Sequence, residues 1–237
     1  MSVTCSILTD EKPVVYAKEE LLKYIQQVGQ PIPYTFVLGM EQDFIEKGLV
    51  EQPTLKKNST IDTFQLVQKN SEIYIIGSNP RSVLYGVYHT CKKLFGYKWV
   101  HFLSKENIVY KDASFESSTL HTGKMGRRGL VIENYDDTSF LLQIIDWAAK
   151  HYINELFFTF MLWDKVKSEI EKEIEKRGFT ITIGGHSMHY LLRDISVSDK
   201  RQINYSDDSW KGLLIDKIKI ISKKHHLSKG YLYGQPI

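Results

Sequence analysis

The chain has 237 residues, enough for one large domain or two modest ones, and its 42% apolar content can fill a core. Its 31 basic and 28 acidic residues leave a net charge of +3, with lysines scattered over expected helix faces, which argues against nucleic acid as the main partner. No apolar run approaches the ~20 residues that span a bilayer, so no membrane partner is expected.

The start of the chain, polar SVTCS after Met1, has no basic stretch followed by an apolar h-region. As written the chain reads as cytoplasmic, and as secreted or periplasmic if a signal peptide has been removed. Cys5 and Cys91 lie far apart and read as buried thiols rather than a disulfide framework.

In chain order, VTCSIL is a short strand. Residues Ala17 to Val28 carry Leu21, Leu22, Ile25 and Val28 at helical spacing, and TFVLG follows as a strand. Asp62 to Gly77 holds two alternating runs separated by Lys69, Asn70 and Ser71, the pattern of a hairpin. Ser78 to Gly96 opens with an N-cap candidate before Pro80 and closes on glycine, which predicts a helix. A strand around Tyr97 to Val100 completes this first part. Between Lys111 and Gly126 the composition shifts to Ser, Thr, Gly and isolated charges without apolar period. The expected division is an N-terminal α/β accessory domain at 1–110, a linker at 111–126, and a second domain at 127–237.

The second domain alternates strand and helix. RRGLVIENY and ELFFTFMLW read as strands around the helix SFLLQIIDWAAKHY, and TITIGG follows the helix KVKSEIEKEIEKRG, whose alternating charges mark a solvated face. Asp208 to His226 is a further helix, before a short run at Tyr231 to Tyr233. Strands separated by single helices imply parallel pairing through crossovers. A complete (β/α)8 barrel takes ~250 residues, so 127–237 holds about half of one.

The segment FQLVQKNSEIYIIGSNPRSVLYGVYHTCKKLFGYKWV resembles the N-terminal α/β domain that precedes the catalytic barrel of alpha-glucuronidases, beta-hexosaminidases and related uncharacterised bacterial glycosidase-like proteins. Gly77, Asn79, Arg81, Leu84, Tyr85, Gly86, Tyr88, Gly96 and Trp99 carry the likeness, while Ser82 stands where a glycine is common. The second half is similar to the start of their barrel through Arg128-Gly129, Asn134-Tyr135, Asp146-Trp147, Lys150, Asn154 and Gly185-His186-Ser187. The expected fold class is therefore α/β, a small α+β accessory domain followed by an incomplete TIM-type barrel. The chain reads as a truncated form or one part of an assembly, and an open half-barrel leaves a strand edge that a homo-oligomer would cover.

Barrel ligands bind at the C-terminal ends of the strands. That rule collects Glu133, Asn134, Tyr135, Asp136 and Asp137 from the first strand, Trp163 and Asp164 from the second, His186, Ser187 and His189 from the third, and Tyr233 and Gln235 from the last. Carboxylates, amides and imidazoles hydrogen-bond hydroxyls, and an aromatic plane covers the C–H face of a pyranose, so the set suits a carbohydrate. Several of these residues have a plainer alternative: Trp163 as core, His189 as a hydrogen-bonded histidine opening a helix, Asp136 or Asp137 as a helix cap.

Arg128 resembles the substrate-contacting arginine of hexosaminidase-like enzymes, the alternative being a salt bridge at the barrel base. The expected substrate-binding set is Arg128, Asn134, Tyr135, Trp163, His186 and His189. The histidine spacing does not match a zinc-protease helix, and no metal or cofactor is expected. Glycoside hydrolysis needs two carboxyl groups. The catalytic residues are not identified by sequence, and Asp136 and Asp164 are the only local carboxylates expected on the mouth. The implied function is a glycoside hydrolase-like protein acting on or binding a poly- or oligosaccharide, with a non-catalytic carbohydrate-binding or assembly protein as the alternative.

Overall fold

The computed structural model describes residues 4–55, 60–103, 118–185, 190–192, 206, 208–224 and 232–233. The chain divides into two compact units, the first made of 1–128, 139–154 and 170–179, the second of 129–138, 155–169 and 180–237.

In the first unit, five strands form a mixed sheet in the order β1-β2-β4-β3-β5: β1 Cys5–Ile7, β2 Thr35–Met40, β3 Thr63–Lys69, β4 Glu72–Gly77 and β5 Ser118–Thr122. Strands β1, β2 and β4 run parallel, and β3 is antiparallel to both β4 and β5. The hairpin expected from Asp62 to Gly77 is β3–β4, with Asn70 supplying the positive φ (55°) of a tight turn.

Helix α1 covers Lys12–Val28 and so starts before the Ala17 that the apolar period suggested, because Pro13 in its first turn presets φ and forfeits no hydrogen bond. It ends on Gly29 at φ 68°. Helix α2, Glu41–Glu46, is too short to show a period. Helix α3, Pro80–Leu94, is capped by the Asn79 side chain, which accepts from the Ser82 N–H at 2.9 Å. Residues on α1, α3 and one sheet face, among them Leu21, Tyr24, Phe36, Ile75, Leu84 and Tyr88, make the main core. Phe44 of α2 covers Tyr74 and Ile76 on the other face.

Two expectations change here. Tyr97 to Val100 is not a strand; Tyr97 and Trp99 are buried, stacked 5.7 Å apart, and extend the core instead. The stretch 111–126, read as a linker, contains β5, which pairs with β3 from Thr63↔Thr122 to Val67↔Ser118. Its residues STLHT alternate between exposed and half-buried, so only the backbone ladder marks it as an edge strand. Residues 111–117 lie outside the described residues.

The second unit carries a four-stranded parallel sheet in sequential order: β6 Gly129–Ile132, β7 Glu155–Thr159, β8 Thr180–Gly184 and β9 Leu232–Tyr233. Helices α4 (Thr138–Lys150) and α5 (Phe160–Lys176) connect the first three strands, and α6 (Ser209–Lys224) precedes β9. This is the strand-helix order of an incomplete TIM-type barrel. Leu156 and Phe158 of β7, Leu162, Trp163 and Val166 of α5, and Ile183 of β8 are buried. Among the described residues no helix is long and apolar enough to cross a membrane.

Candidate functional site at the strand ends

Three consecutive strands of the second unit release their chains on the same side, because β6, β7 and β8 are parallel and in register. The segments that leave them enclose a cleft of about 240 Å³. Asn134 and Asp136 come from the exit of β6, Thr159, Phe160, Met161, Leu162 and Lys165 from the end of β7 and the first turns of α5, and Gly185 from the exit of β8, with Tyr190 beyond it.

The backbone bends sharply at the first exit. Asn134 sits at φ 22°, and the Tyr135 N–H turns back onto the Glu133 carbonyl. Asparagine tolerates positive φ better than most residues, and such local strain concentrates where a side chain must be aimed. At the third exit Gly185 takes φ 72°, with Thr159 close behind it.

The apolar wall is aromatic. Phe160 and Tyr190 stack face to face with centroids 4.6 Å apart and planes 5° from parallel. The polar rim consists of an exposed ion pair, Lys165 Nζ to Asp136 Oδ2 at 3.2 Å, and a phenol, Tyr190, which donates to Asp164 Oδ2 at 2.5 Å. Two carboxylates, an ammonium, an amide and a phenol thus meet an apolar surface. That combination can bind hydroxyl groups directionally while an aromatic face covers C–H bonds.

Asn134 and Asp136 line this mouth, Tyr135 lies between them in the chain with 47% of its surface exposed, and Asp164 is not a lining residue but accepts from the lining Tyr190. His186, Ser187 and His189 lie outside the described residues. Trp163 is a correction. The run ELFFTFMLW ends as a strand at Thr159, and Phe160 opens α5, so Trp163 is a helix residue, 2% exposed, packed 5.2 Å from Phe158. Its ring presents no face to a ligand. The signal was in the sequence: Phe160, Trp163, Val166, Ile170 and Ile174 continue a helical apolar period, and all are buried.

Arg128 is the second correction, since it belongs to the first unit and is absent from the cleft. Its guanidinium donates to the carbonyls of Tyr152 (2.8 Å) and Met125 and to Asp62 Oδ2. Asp62 is buried, and it also accepts from Asn154 Nδ2 (2.8 Å), Asn79 Nδ2 (3.0 Å) and Arg81 Nη2 (2.9 Å). Burial alone would raise the Asp62 carboxyl, but the Arg81 charge and the hydrogen bonds from Asn79, Arg128 and Arg81 outweigh it, holding the group below the usual carboxylate range. The residues Asn79, Arg81, Arg128 and Asn154 therefore share a structural role around one acid that the sequence reading passed over.

Lys165, Tyr190 and the wall residue Phe160 are among the cleft residues the sequence did not reveal. Lys165 was hidden in a charged helix, and Tyr190 follows the two histidines by one residue. Among the described residues no group of three or more His, Cys, Asp or Glu side chains is placed to hold a metal ion.

No protein-family model matches the chain, and no curated protein matches it. Solved structures do. A family GH115 4-O-methyl-alpha-glucuronidase with specificity for decorated arabinogalactans matches with a TM-score of 0.63 and 13% identity, over 97% of this chain and 34% of that one. The GH20 exo beta-N-acetylglucosaminidase from Vibrio harveyi, in complex with N-acetylglucosamine, matches with a TM-score of 0.59 and 13% identity, over 100% of this chain and 44% of that one. The chain has a glycosidase-like fold. The protein CpGH84B adds a TM-score of 0.54 at 14% identity, over 98% of this chain and 40% of that one. The chain thus spans between 34% and 44% of the length of these three proteins.

Proposed function

We propose that this glycosidase-like chain binds a poly- or oligosaccharide in the cleft at the ends of β6, β7 and β8, as a glycoside hydrolase-like protein. The observation that carries the reading is the cleft itself: the stacked Phe160–Tyr190 wall faces a rim of Asn134, Asp136 and Lys165 at the strand ends where barrels bind ligands. Asn134, Tyr135, Asp136 and Lys165 bond sugar hydroxyls, and His186 and His189, which follow Gly185 in the chain, are assigned to the same mouth by sequence position. Hydrolysis would use Asp136 and Asp164. One would protonate the leaving glycosidic oxygen while the other attacked the anomeric carbon or activated a water.

The non-catalytic alternative has one observation in its favour. Both carboxylates are already engaged, Asp136 by Lys165 and Asp164 by Tyr190. A panel of aryl glycosides, including glucuronides and N-acetylhexosaminides, separates the readings when the same sample is titrated with oligosaccharides. The hydrolase reading expects turnover that falls about 100-fold or more in Asp136→Asn or Asp164→Asn. Saturable binding without turnover supports the binding protein. Neither turnover nor binding from a folded sample would remove both.

A further inference from the structure

The first unit holds a second cavity, of about 260 Å³, lined among others by Trp99, Phe102, Gln143, Asp146, Trp147 and Lys150. The indole N–H groups of Trp99 and Trp147 are both buried and have no hydrogen-bond acceptor among the described residues. A buried donor without an acceptor is unfavourable, and two on one cavity wall call for a ligand that brings oxygen. The aromatic surface is held rigidly. Trp147 stacks on His151 at 4.1 Å and meets Phe102 edge-on at 6.3 Å, and Trp99 stacks on Tyr97.

The charges select the ligand. Asp146 accepts from Lys150 at 2.6 Å and from Arg177 at 2.9 Å, and its side chain stays 31% exposed, leaving room for a hydroxyl donor. An organic cation would meet the Lys150 and Lys92 ammonium groups, which already lie over the Trp99 ring at 5.3 and 5.6 Å. An anion would meet the Asp146 carboxylate. What remains is a neutral molecule with both donor and acceptor oxygens and an apolar face. The cavity volume falls just below the ~300 Å³ at which small-molecule sites begin, which suits one ring and no more.

We propose that this cavity is a binding site for a single uncharged sugar ring, stacked against the tryptophans, with its hydroxyls bonded to Asp146, Gln143 and the two indole N–H groups. The site lies wholly within the first unit and does not depend on the cleft at the strand ends.

The test uses the full chain with 15N-labelled tryptophan, in which each indole N–H gives its own assigned NMR signal. Methyl β-glucopyranoside, methyl β-galactopyranoside and methyl β-xylopyranoside are titrated, with methyl β-glucuronide and tetramethylammonium as charged controls. The expected result is a saturable shift of the Trp99 and Trp147 signals with at least one neutral glycoside, while the signal of Trp163 stays in place. Gln143→Ala, at an exposed position, weakens the binding roughly 2- to 10-fold, the worth of one hydrogen bond, and Asp136→Ala in the cleft leaves it unchanged. The proposal is overturned if no neutral glycoside moves either signal in a folded chain, if only a charged control does, or if Asp136→Ala abolishes the shift.

Discussion

Asp62 shows how much one side chain organises in the first unit. Two guanidinium groups and two amides converge on its buried carboxylate, so removing it strands two half-buried cations. Asp62→Ala is expected to cost about 3–5 kcal/mol in urea denaturation, the usual penalty for breaking a buried ion pair from one side. His89 and His121 give the unit an acid sensitivity. Their rings lie 3.9 Å apart, and His89 shares a hydrogen bond with the Tyr152 hydroxyl. Burial, then the charges of His121, Lys93 and Lys92, push His89 down from 6.5 to about 3, and burial lowers His121 in the same direction. A histidine depressed in the folded state binds its proton more readily when unfolded, so stability rises with pH across that window and falls on acidification below about 6.5. Urea midpoints measured from neutral pH downward should decline, and His89→Gln should flatten the decline. A wild-type midpoint that does not move with pH would contradict the assignment.

At the scale of elements, close approach explains what helical period alone could not. Gly86 on α3 faces Ile75 of β4 so tightly that a Cβ would come within 2.5 Å of Ile75 Cγ2. Gly86→Ala should therefore destabilise by roughly 1–3 kcal/mol through overpacking, despite alanine's better helix propensity. Thermal unfolding checks it, and an unchanged or raised Tm would show that α3 can move away. The elements legible in sequence were those with strong periods or punctuation: α1, the β3–β4 hairpin, α3, and the strand-helix alternation from Arg127 onward. Others were misread where the signals overlap or are missing. The apolar run after Glu155 serves first as strand and then as helix, with no break at Thr159, and this displaced Trp163 from the mouth into the core. The polar residues of β5 carry no pattern of their own, since its partner β3 supplies the pairing. The mouth was half legible. Strand ends located Asn134 and Asp136, while Lys165 and Tyr190 required the geometry of α5 and of the segment after Gly185.

For the whole molecule, the open sheet of the second unit sets the expectation for assembly. Strand β6 pairs with β7 and with no other strand among the described residues, and Val131 on it is 68% exposed. A parallel edge strand with one partner is a site for pairing. We propose that a second copy covers it, so the mass measured by size exclusion with light scattering should rise with concentration, and Val131→Glu should suppress the rise. A monomer at every concentration would contradict that expectation.

The carbohydrate binding proposed for the strand-end cleft is open to direct test. Mapping backbone amide shifts of the labelled chain during titration with oligosaccharides tests it most directly. Saturable shifts are expected to cluster at Asn134 to Asp136, Thr159 to Leu162 and Gly185, and to weaken in Lys165→Ala. Saturable shifts that avoid these residues, or none with any oligosaccharide, would contradict it.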